Sequence, residues 1–177
     1  YPDGSFSPND SFFVYPGFIF SLKDSSIKPF WVPFSETPYD NWIEWSSDTS
    51  FIFRPNENLL AEYFLKSGRT DTLVSLEEGV VITGFAYNKN EGILAYSLPY
   101  HPRIYYHYVN NNTPDSLFFD TERDEPDNPL FWEPIIFTSL TWSPDERRLA
   151  FICEGIVNSF SVIRIYDMNK DTIYQSE

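Results

Sequence analysis

The sequence is short of sulfur, of basic residues and of long apolar runs. Its single cysteine, Cys153, rules out an intrachain disulfide and leaves the redox compartment open. Cys153 follows Leu149-Ala150-Phe151-Ile152, so it reads as a small apolar residue of a buried strand rather than a reactive thiol. The two histidines, His101 and His107, are six positions apart, which fits no His-x₃-His zinc site. Lys and Arg number 12 against 26 Asp and Glu, a net charge of −14. That balance excludes a general nucleic-acid or anionic-membrane surface, since both require an excess of cations. No apolar run approaches the roughly 18 residues of a membrane-crossing helix. There is no Gly-x-Ser-x-Gly elbow, dinucleotide-binding glycine loop or Walker loop, so neither a hydrolase nucleophile nor a nucleotide cradle is visible. The expectation is a non-enzyme without a cofactor. No charged-then-apolar leader opens the chain, and a start at Tyr1 reads as a processed protein or as part of a longer one.

What is abundant is aromatic: 5 Trp, 12 Tyr and 17 Phe in 177 residues, enough apolar surface to exclude disorder. Segments such as Phe18-Ile19-Phe20, Phe51-Ile52-Phe53, Val80-Val81-Ile82-Thr83 and Val162-Ile163-Arg164-Ile165-Tyr166 are short, β-branched or aromatic, and bounded by turn residues. These are strand signals. The best helix candidate, Asn58 to Lys66, is closed after about two turns by Ser67-Gly68 and is too short to stand alone, so it too is expected to be a strand.

An internal repeat organises these strands. Phe6-Ser-Pro-Asn-Asp-Ser-Phe-Phe-Val-Tyr15, Trp45-Ser-Ser-Asp-Thr-Ser-Phe-Ile-Phe-Arg54, Tyr87-Asn-Lys-Asn-Glu-Gly-Ile-Leu-Ala-Tyr96 and Trp142-Ser-Pro-Asp-Glu-Arg-Arg-Leu-Ala-Phe151 align without gaps, with starts 39, 42 and 55 residues apart. The pattern is that of a hairpin. An aromatic (Phe6, Trp45, Tyr87, Trp142) closes one strand on the core side. An Asx residue (Asn9, Asp48, Asn90, Asp145) then accepts a backbone N–H and folds the chain back. Each hairpin is followed by two further apolar segments, so the unit is a four-stranded sheet of about 40–45 residues.

Trp142-Ser-Pro-Asp-Glu-Arg-Arg-Leu-Ala-Phe151 with Ile163-Arg-Ile-Tyr-Asp-Met168 resembles the repeat of the TolB-type, WD40-like (PD40) β-propellers. That repeat reads Trp-Ser-Pro-Asp-Gly followed by Leu-Ala-Phe, and Glu146 stands where it has Gly. The second repeat keeps Trp45, Ser46 and Asp48, while the first and third are more degenerate. The resemblance implies an all-β propeller with four recognisable four-stranded blades. These fall at approximately 1–34, 40–76, 79–120 and 134–177, with an insertion at 120–133. Propellers of this type usually close with more than four blades, so part of a larger propeller, or one completed by further blades or another chain, is expected. The implied function is non-catalytic protein recognition. The alternatives are the substrate-gating propeller of an S9-type, prolyl-oligopeptidase-like peptidase, and a glycan-binding module. The resemblance to exported TolB-like proteins also implies a periplasmic or secreted setting.

Candidate sites lie in the insertions. Tyr100, His101 and Arg103, and the tryptophans Trp31, Trp42 and Trp132, offer flat rings and a guanidinium suited to protein or sugar recognition, though blade packing explains such rings equally well. Asp120, Glu122, Asp124 and Asp127 carry the hard oxygen ligands that Ca²⁺ takes. Their spacing fails the EF-hand template, and a solvated acidic loop is the plainer reading.

Overall fold

The computed structural model describes residues 4–30, 43–99, 101, 103–109, 113–118, 135–155 and 161–175, which lie in strands, turns and irregular connections. The sixteen strands form four antiparallel sheets, each a simple meander in chain order. The first comprises β1 (Ser5–Phe6), β2 (Phe12–Tyr15), β3 (Gly17–Ser21) and β4 (Ile27–Phe30). The second comprises β5 (Ile43–Ser47), β6 (Ser50–Asn56), β7 (Leu59–Phe64) and β8 (Thr70–Ser75). β9 (Gly84–Asn88), β10 (Ile93–Ser97), β11 (Arg103–Tyr108) and β12 (Thr113–Phe118) make the third. The fourth is β13 (Ile135–Trp142), β14 (Arg148–Gly155), β15 (Ser161–Asp167) and β16 (Thr172–Gln175). The segment with helical propensity is strand β7, because it pairs on both sides and buries Leu60, Ala61 and Tyr63.

The chain divides into two compact units, Tyr1–Val80 and Val81–Glu177, each holding two sheets. In the first unit, cross-strand register aligns Trp45 with Phe51 and Tyr63, and Ile43 with Phe53 and Ala61. This face packs against Val14, Ile19 and Phe30 of the first sheet. Phe30 sits edge-on to Phe51 and Phe53, with ring centroids 5.2 and 5.1 Å away. Each such fully buried side chain contributes about 1.5–3 kcal/mol of transfer free energy.

The second unit follows the same plan. Trp142 aligns with Leu149, Tyr166 and Ile173. Their face packs against Ala86, Ala95, Ile104 and Tyr106 of the third sheet. A bulge between Thr138 and Thr141, with Ser139 at φ 51°, shifts the strand's phase by one residue. Phe137 therefore shares its core-facing side with Leu140 and Trp142 rather than with Ser139. Gly84 admits this packing, because a Cβ there would stand 3.0 Å from Leu140 Cδ1. The buried Thr83 and Ser97 hydroxyls each reach the Phe137 carbonyl at 2.9 Å, tying the third sheet to the fourth. Cys153 is buried in the same core, and burial raises its thiol pKa.

Three of the four repeat aromatics occupy one register position: Phe6 opposes Phe13, Tyr87 opposes Leu94 and Trp142 opposes Leu149, each seven residues on. Trp45 opposes Phe51, six residues on, because the register slips between Trp45 and Ser47. One expectation fails at the first copy. Trp45 is 8% exposed, but Phe6 is 56% exposed. Phe6 stands on the face of its sheet that points away from the core, where no described sheet of its unit covers it.

Candidate functional site

The repeat turns are the best-defined polar features. In the first, the Ser7 hydroxyl donates to Asn9 Oδ1 at 2.9 Å and accepts the N–H groups of Ser11 and Phe12 at 3.0 Å. Asn9 Oδ1 also accepts the Ser11 N–H. The fourth turn has the same design. Ser143 donates to Asp145 Oδ1 at 2.5 Å and accepts the Arg148 N–H at 3.0 Å, while Asp145 Oδ1 accepts the Arg147 N–H. The Ser143 bond, followed by that from Arg147, holds the Asp145 carboxyl below its ordinary range. Asp10 and Glu146 occupy the next position at φ 54° and 55°. The repeat's usual glycine at this position thus has a conformational reason.

The other two turns differ from the Asx expectation. In the second, only Asp48 and Thr49 lie between the paired Ser47 and Ser50, and it is Ser47 Oγ, not Asp48, that accepts the Thr49 N–H at 3.1 Å. In the third, Asn88 Oδ1 accepts the Glu91 N–H, and Asn90 acts through its backbone instead. The Asn90 N–H donates to Glu146 Oε2 at 2.6 Å, and Asn88 Nδ2 donates to the Glu146 carbonyl at 2.8 Å. Glu146, the departure from the repeat, thereby joins the turns of the third and fourth sheets.

Of the candidate binding residues, His101 and Arg103 fall within the described residues and both are exposed. His101 Nδ1 lies 3.1 Å from the Tyr105 hydroxyl, and Tyr105 stacks on Tyr96 with centroids 5.4 Å apart and planes 16° apart. This is a small aromatic corner at the β10–β11 hairpin. Tyr106, on the opposite face of β11, is buried in the core, and His107 is buried too, which lowers its pKa. Tyr100, Trp31, Trp42 and Trp132 lie outside the described residues, as do the acidic candidates Asp120, Glu122, Asp124 and Asp127. Among the described residues, no three His, Cys, Asp or Glu side chains converge on a metal-sized site. Burial and a 2.9 Å bond to Asp171 push the Tyr166 hydroxyl up to about 12, and burial raises that of Tyr106 further. Raised phenols of this kind follow from packing.

Among the described residues, one exposed apolar face lies outside the candidate sites. On the first sheet, register places Phe6, Phe13, Phe20 and Ile27 in one row, and Tyr15, Phe18 and Pro29 in the next, all on the face opposite the core. Phe6 and Ile27 are 56% and 67% exposed. A signal for this was present: Phe12-Phe-Val-Tyr15 and Phe18-Ile-Phe20 lack the alternation of a strand with one wet face.

No family model matches the sequence, and no curated protein matches it. Solved structures do. TolB from Acinetobacter baumannii superposes with a TM-score of 0.65 at 13% identity, over 98% of this chain and 42% of that one. The tricorn protease gives 0.60 at 18% identity, over 98% of this chain and 16% of that one. U3-55K gives 0.56 at 12% identity, over 97% and 50%. The chain has a β-propeller fold. Its four sheets are blades, as the TolB-like repeats imply, and they span half or less of each of these three chains. At these identities the likeness concerns fold alone.

Proposed function

We propose that this propeller is a non-catalytic scaffold for protein recognition, and that binding uses its uncovered blade surface. The observation that carries this reading is the aromatic outer face of the first blade, on which Phe6 and Ile27 are more than half exposed. Contiguous apolar surface on a folded protein marks an interaction site. Phe and Tyr supply large contact area with few rotamers to freeze. A photo-crosslinking amino acid at position 27, in the source cell, is expected to capture a protein, whereas the same probe at the exposed polar position Asp48 is not. Absence of any adduct at position 27 would overturn the reading.

A second reading is supported by the likeness in fold to the tricorn protease, of whose chain 16% is covered. Here the propeller would screen substrates for a catalytic domain elsewhere in the same protein. A full-length reading frame carrying a Gly-x-Ser-x-Gly elbow would support it, and one without a nucleophile would remove it.

A further inference from the structure

No further inference is drawn: the strongest candidate, the exposed apolar face of the first blade around Phe6 and Ile27, already carries the proposed function, and nothing in the structure shows what covers it.

Discussion

The two units share a plan and differ in how each satisfies its repeat tryptophan. In the first, the Trp45 indole N–H donates to Ser5 Oγ at 3.0 Å. In the second, the Trp142 indole N–H is buried with no acceptor among the described residues. Register explains the difference. Ser5 immediately precedes the repeat aromatic Phe6, and the residue in that place before Tyr87 is Ala86. The Tyr106 hydroxyl, on a ring whose centroid is 6.4 Å from that of Trp142, is also buried with no partner among the described residues. The first core is lined with rings; the second is more aliphatic, carries unmatched donors, and is stitched by Thr83 and Ser97 to the Phe137 carbonyl. One repeat therefore tolerates two different chemistries behind the same backbone.

The largest effect should come from truncating the side chain opposite each tryptophan. Phe51→Ala should cost about 3–5 kcal/mol and Leu149→Ala about 2–5, read from urea midpoints, since both positions are fully buried. Next, Ser5→Ala should leave the Trp45 indole as unsatisfied as that of Trp142, at about 1–3 kcal/mol. The reciprocal change, Ala86→Ser, should supply Trp142 with its missing acceptor and raise stability by about 1 kcal/mol. If Ala86→Ser destabilised the protein as much as Ser5→Ala, the equivalence of the two positions would fail. Smaller still are the left-handed turn positions. Asp10→Gly should stabilise by about 1 kcal/mol, and Glu146→Gly by less, because it also gives up the carboxylate bond to the Asn90 N–H.

A pH series separates the units by a different route, since both histidines, His101 and His107, belong to the second. Burial lowers the His107 pKa, so below about 6.5 the unfolded chain takes up a proton more readily than the folded chain. That contribution is constant above this pH and is lost as pH falls below it. The wild-type urea midpoint should therefore drop between pH 7.5 and 5.5 more than that of His107→Gln.

The architecture was legible because the repeat encodes local chemistry. Ser7 with Asn9, and Ser143 with Asp145, close their turns through atoms a few residues apart. Asp48 and Asn90 were misleading for equally local reasons: a loop one residue shorter in one case, and a competing Asn88 in the other. The environment of Phe6 was not legible. Its motif matches that of the other repeats, and whether its ring is covered depends on a neighbouring sheet that no spacing within the motif reports. The same holds for Glu146, whose value lies in a partner 56 positions away. Of the loop residues singled out from composition, His101 has a defined partner in Tyr105, four residues along the chain.

The lone sulfhydryl of Cys153 gives the second unit a built-in clock. Sealed among Phe137, Leu149 and Phe151, it can meet an alkylating reagent only when that core opens, so the rate of labelling measures how often it does. Because the first unit has no thiol to compete, a single mass shift reports on one half of the chain, and any variant that loosens the other half alone should leave that rate untouched.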